Sequence, residues 1–198
     1  MRTLLGVRPP RGRKSFPSFP LPPLPRRPLS HQRRGKGVNP KYRPALIIGG
    51  TVLVLDQITK ALVNNLMQLY QSVEIVPNFA HLTYLKNTGA AFGFLAGARS
   101  PLRILFFVLV SSVAIGCVLY LLKNLRSGRM APVVSLSLIL GGAIGNLIDR
   151  LRMGEVIDFI DLHWHHLHWP AFNVADSAIT IGVILLFIQM VRRQSLNF

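Results

Sequence analysis

Acidic residues are scarce in this 198-residue chain, which carries seven Asp+Glu against 23 Lys+Arg and a formal net charge of +16. Cysteine is scarcer still. A single cysteine, Cys117, cannot form an intrachain disulfide, so no covalent staple holds the fold. Inside its apolar run it reads as a small buried hydrophobe. There is no glycine-rich phosphate loop. No GxSxG or Ser–Lys arrangement presents a serine nucleophile. No internal repeat of the kind that builds inverted-repeat transporters is visible. These absences remove the usual supports for nucleotide chemistry and serine-type hydrolysis.

What the chain has in abundance is apolar length. Half of its residues are hydrophobic. The basic excess is concentrated elsewhere: twelve of the 23 Lys+Arg fall in residues 1–43, a Pro-rich segment without one acid. Proline blocks helix interiors and strand ladders, and like charges repel, so residues 1–43 are expected to be a disordered basic tail. Because the charge belongs to a tail, no nucleic-acid partner is expected. Four apolar segments follow, at about 45–64, 102–122, 131–149 and 174–191, within a domain of residues 44–193 that ends in a short tail, 194–198. Each is close to the ~20 residues that cross ~30 Å of hydrocarbon as a helix.

Lys/Arg in short flanks set orientation. The basic N-terminal tail, the connection with Lys123, Arg126 and Arg129, and the end with Arg192 and Arg193 are all expected to be cytoplasmic. Residues 65–101 and 150–173 then face outwards. The first of these alternates in places, with Val73, Ile75, Phe79, Leu82 and Tyr84 broken by Pro77 and Asn78. That pattern predicts a small extracytoplasmic sheet. The expected fold is a mainly α membrane protein, with four transmembrane helices, this sheet, and an interfacial helix or loop.

Five of the seven acids (Asp149, Glu155, Asp158, Asp161 and Asp176) lie within 28 residues between two of these spans. Carboxylates near a membrane are costly and mark functional sites. Each also has a structural explanation. Asp56 and Lys60 are spaced for an i,i+4 ion pair in the first span. Asn146 and Asp149 sit one turn apart, follow Gly141, Gly142 and Gly145, and precede Arg150, a pattern suited to a polar helix clasp. Asp176 lies three residues after Asn173, as in a capping box. Asp158 is flanked by Val156, Ile157, Phe159 and Ile160, which desolvate its carboxyl group if the site is buried. The same pattern also fits a surface acid on an interfacial amphipathic helix, with Asp161 one turn further on.

Two carboxyl groups that meet can share one proton, one activating water and the other protonating the departing group. Asp176 is one member. Asp149, Asp158 and Asp161 are all open as its partner on spacing alone. The run HWHHLHW (His163, His165, His166, His168) offers helix-spaced histidine pairs but no further ligand, which is weak support for zinc, so no metal and no cofactor is expected. Trp164 and Trp169 suit the aromatic belt of a membrane interface. A small proton-coupled transporter using the acids as a relay is the rival reading.

Four pieces of the chain, DQITK (56–60), KNTGAAFGFL (86–95), GGAIGNLIDRLRMGEVIDFID (141–161) and FNVADSAITIG (172–182), occur in the order found in the bacterial signal peptidase II family. From about 45 to 192 the chain resembles that family. The resemblance implies a monomeric aspartyl endopeptidase of the bacterial inner membrane, acting on lipid-modified prolipoproteins among the membrane lipids. It maps the catalytic pair onto Asp158 and Asp176. Asn87, Asn146, Asp149, Arg150, Asn173 and Asp56 become supporting residues. It says nothing about the long basic tail.

Overall fold

The computed structural model describes residues 41–89, 101–125, 129–165 and 167–192. Residues 1–40 and 194–198 of the expected tails, Arg126, His166 and most of the GAAFGFL piece lie outside the described residues, whereas Tyr42 and Arg43, expected in the tail, are already helical. Among the described residues four helices are long and apolar enough to cross a membrane: α1 (Tyr42–Leu66), α2 (Pro101–Asn124), α3 (Met130–Met153) and α4 (Val174–Val191). Two strands, β1 (Ser72–Val76) and β2 (Ala80–Asn87), follow α1, and two more, β3 (Val156–Trp164) and β4 (Leu167–His168), follow α3. The sheet is antiparallel in the order β1-β2-β3-β4. It follows the ends of α1 and α3 and precedes the start of α4, so these three helix ends meet it.

The central helix is α3, which packs against α1, α2 and α4. Half of its most apolar stretch is buried, against 6% for α2. Glycines make that centrality possible. A Cβ on Gly141 would stand 2.5 Å from the Gly49 carbonyl oxygen of α1, and one on Gly142 would strike the Ala175 carbonyl oxygen of α4. Small residues let helix backbones approach where lipid supplies no hydrophobic drive. By contrast α2 is apolar all round, and Cys117 lies on its exposed surface rather than in a core. An unbroken apolar helix has no stripe to tell a lipid-facing position from a packed one.

The acid-rich stretch after α3 is a strand, not an amphipathic helix. Gly154 ends α3 in the left-handed conformation (φ 73°), its N–H bonded to the Arg150 carbonyl at 3.0 Å. A left-handed residue one step past a helix is the usual stop, and glycine takes it without a Cβ penalty. The β-branched and aromatic residues Val156, Ile157, Phe159 and Ile160 then fit a pleated, buried ladder. All of Val156–Phe159 are buried, with Ile157 and Phe159 packed against Val63 and Tyr84. β2 pairs with β3 from Ala80↔Leu162 to Asn87↔Val156. The chain then turns at His165 (φ 54°) into β4. The histidine run is therefore a hairpin, in which His163 and His168 face each other across the ladder.

One pairing positions everything that follows. Phe172 exchanges backbone hydrogen bonds with Ile160, at 2.8 and 3.0 Å, just before α4 begins. This fixes Asn173, the residue that starts α4, alongside Asp158 of β3.

Candidate active site

Asn173 is fully buried and serves two elements at once. Its side-chain oxygen accepts the Asp176 backbone N–H at 2.9 Å, capping α4. Its amide nitrogen donates to Asp158 Oδ1 at 2.7 Å. The capping relation read from the sequence is thus present in its backbone half. The Asp176 carboxyl group points to α3 instead, where Asn146 Nδ2 donates to its Oδ1 at 2.7 Å. Asn87, exposed at the end of β2, donates to Asp158 Oδ2 at 2.8 Å. Asp158 and Asp176 are therefore brought to one place by three asparagine amides from β2, α3 and the α4 cap.

Beneath them lies a second cluster. Lys60 is 2% exposed and meets Asp56 Oδ2 and Asp149 Oδ2, each at 2.8 Å. It also donates to Asn146 Oδ1 at 2.9 Å. That last bond fixes the Asn146 amide: its oxygen must face the ammonium group, so its nitrogen faces Asp176. Gln57 adds bonds to Asp56 Oδ2 at 3.2 Å and Asp149 Oδ1 at 3.1 Å. Asp56 reaches α4 as well, accepting the Ala175 N–H at 2.9 Å, and Gly145 leaves room for it, since a Cβ there would lie 2.5 Å from Asp56 Oδ2. The i,i+4 pair and the helix clasp are both present, joined by one lysine. Sequence reasoning gave Lys60 a partner one turn away; its contacts with α3, 86 and more residues distant, leave no local signal. Gln57 was missed altogether.

Arg150 lies beside this network. It stacks on Phe107 (5.4 Å from guanidinium carbon to ring centroid) and approaches Ser111 Oγ at 3.4 Å and the Asn146 carbonyl at 3.5 Å. Its charge acts on Asp176, Asp158 and Asp149 through space. Asp161 is separated from the pair. Three residues along a strand lie on opposite faces, and Asp161 instead accepts from Thr83 Oγ1 at 3.3 Å and lies 4.0 Å from His168.

The electrostatics divide these carboxyl groups. Asp56 and Asp149 face an ammonium group. Asp158 faces only amides, and burial pushes its pKa from 3.8 up to about 6, aided by the charge of Asp176 and opposed by the bonds from Asn87 and Asn173 and by Lys60. Lys60 is shared between Asp56 and Asp149, while the charge of Arg150 acts first on Asp176, then on Asp158 and Asp149.

The comparisons with known proteins agree with this architecture. The family model described as "Signal peptidase (SPase) II" matches residues 48–192. Among curated relatives, the lipoprotein signal peptidase of Geobacter metallireducens is 49% identical over 157 residues, covering 78% of this chain and 94% of that protein. The lipoprotein signal peptidase of Syntrophus aciditrophicus is 51% identical over 150 residues, covering 75% and 92%. Two solved structures described as a bacterial membrane enzyme are each 34% identical to this chain. Their TM-scores are 0.67 and 0.68, covering 79% and 76% of this chain and 92% and 94% of theirs. By the family model over residues 48–192 and by these relatives, the chain belongs to the signal peptidase II family of bacterial membrane proteases.

Proposed function

We propose that this protein removes signal peptides from diacylglyceryl-modified prolipoproteins, cleaving on the N-terminal side of the lipidated cysteine, and that Asp158 and Asp176 perform the chemistry. The observation that carries the reading is the pair itself, two carboxyl groups gathered by neutral amides at the sheet end of a membrane bundle. A transporter relay is disfavoured, because its acids belong near the membrane midplane.

The steps balance as follows. At rest Asp158 holds the shared proton and Asp176 is ionised. Asp176 takes a proton from water as the water oxygen attacks the scissile carbonyl, and Asp158 gives its proton to the carbonyl oxygen. The resulting tetrahedral diol collapses: Asp176 passes its proton to the departing amine, and Asp158 recovers one from a diol hydroxyl. Both groups return to their starting states. Asn173 and Asn87 hold Asp158, and Asn146, oriented by Lys60, holds Asp176. Asp149 and Asp56 anchor Lys60, while Arg150 stabilises negative charge nearby. Substrate covering the site removes water and raises the Asp158 pKa further.

In this reading the sheet end is extracytoplasmic and both termini are cytoplasmic, supported by Lys123, Arg129 and the basic tail. The unit is a monomeric four-span domain that begins with α1 at Tyr42, with the residues before it and residues 194–198 as cytoplasmic tails. The lipid of the substrate stays in the bilayer while its backbone reaches the edge where Asp158 and Asp176 lie. The test uses the purified full chain in detergent. It should shorten a diacylglyceryl-modified prolipoprotein by its signal peptide, leaving the modified cysteine at the new N-terminus, and should leave the unmodified precursor intact. Equal cleavage of both precursors, or of neither, overturns the proposal.

A further inference from the structure

On the far side of the Lys60 clasp from Asp158 and Asp176, the ends of α1 and α3 and the start of β3 enclose a cleft of about 360 Å³. The chemistry proposed above leaves it unused. Its mouth is polar, with Asn64, Asn65 and Arg152 all exposed. Among the described residues Asn65 and Arg152 have no side-chain hydrogen bond or ion pair. Asn64 accepts the Tyr84 hydroxyl at 2.6 Å through its oxygen, which leaves its amide nitrogen to donate.

Its inner wall contains one carboxylate, Asp149, whose oxygens are already engaged by Lys60 at 2.8 Å, Gln57 at 3.1 Å and the Ile157 N–H at 3.4 Å. Lys60 is taken up by Asp56 and Asp149, so the cation the cleft offers is Arg152 at its mouth. The setting is equally informative. Leu62, Leu66 and Leu151 stand beside the mouth, 52%, 76% and 64% exposed. On α1, Ile58, Leu62 and Asn65 follow one another at helical spacing on one face. An apolar strip suited to acyl chains therefore ends at a cationic, donor-rich cleft.

We propose that this cleft binds the phosphodiester group of an anionic phospholipid from the leaflet at the sheet end. Arg152 clasps two phosphate oxygens, as guanidinium groups do, and Asn64 and Asn65 donate beside it. The acyl chains lie along Ile58 and Leu62. The site needs only the membrane-spanning fold and is independent of the cleavage chemistry.

The test is a titration of the delipidated full chain in detergent with phosphatidylglycerol, read by native mass spectrometry. The wild type should retain one phosphatidylglycerol more tightly than phosphatidylcholine. Arg152→Gln should weaken phosphatidylglycerol binding about tenfold, the scale of one charge-assisted hydrogen bond, and Asn65→Leu should weaken it less. Both positions are exposed, so helix content should match the wild type, and Asn65→Leu keeps the test alive if Arg152→Gln does not fold. Unchanged affinity in the folded variants, or equal affinity for the two lipids, overturns the site. Inorganic phosphate displacing the lipid at equal concentration also overturns it, assigning the cleft to free phosphate.

Discussion

Four buried or half-buried Asp residues meet where the helices reach the sheet, and they are held in two different ways. Asp56 and Asp149 are each 2.8 Å from one ammonium group. Asp158 and Asp176 receive their side-chain hydrogen bonds from Asn87, Asn173 and Asn146. A carboxylate bonded to a buried ammonium group serves as an anchor. A carboxyl group held by amides keeps its place yet can gain or lose a proton. In the proposed reading the same residue type thus supplies framework and chemistry within one network, and Asn146 joins the two by bonding Lys60 through its oxygen and Asp176 through its nitrogen.

The largest effect belongs to the amide-held pair. Asp176→Asn should lower cleavage of the lipid-modified precursor by about a thousandfold or more, since general acid–base groups contribute roughly 10²–10⁴. Helix content should stay at the wild-type level. Next is the anchor. Lys60→Met leaves two buried carboxylates without their cation, and breaking such a cluster costs about 3–5 kcal/mol. Its unfolding midpoint in denaturant should fall accordingly, with activity falling as a consequence. Smaller again is Asn87→Ala, expected to slow cleavage about tenfold through a misplaced Asp158. Because the Asn87 bond pulls the Asp158 pKa down, its loss should move the alkaline limb of the pH–rate profile to higher pH. Asp161→Asn, on the other strand face, should leave the rate within about twofold, as surface changes away from such features usually do. A large loss there would dissolve the distinction between the groups.

The sequence made the bundle legible because twenty apolar residues have few other uses, and Gly141, Gly142 and Gly145 marked where α3 is approached closely. It left the strand at Val156–Trp164 ambiguous. A short run of β-branched and aromatic residues around an acid suits either a buried strand or an interfacial helix, and only the Gly154 stop and the pairing with β2 decide it. The choice among Asp149, Asp158 and Asp161 as the partner of Asp176 failed locally for the same reason. It depends on strand parity and on the Phe172–Ile160 pairing, which joins elements through hydrogen bonds rather than through any spacing. The resemblance to the family is what names Asp158 as that partner. Cys117 was misplaced because α2 shows the same apolar character on every side.

The central claim is that Asp158 sits in the site as a titrating group, whereas the Lys60 cluster is structural. Folded Asp158, with its pKa raised from 3.8 to about 6, holds a proton over a range where the unfolded chain has released it. Its contribution to stability is therefore complete below about 3.8 and is lost as pH rises through about 6. The direct measurement is unfolding and cleavage by Asp158→Asn beside the wild type and Lys60→Met, from pH 4 to pH 8. The account predicts that Asp158→Asn cleaves nothing, is at least as stable as the wild type at pH 7, and loses the wild type's decline between about pH 4 and pH 6. Retained cleavage by Asp158→Asn, or a collapse in stability matching Lys60→Met, would contradict it.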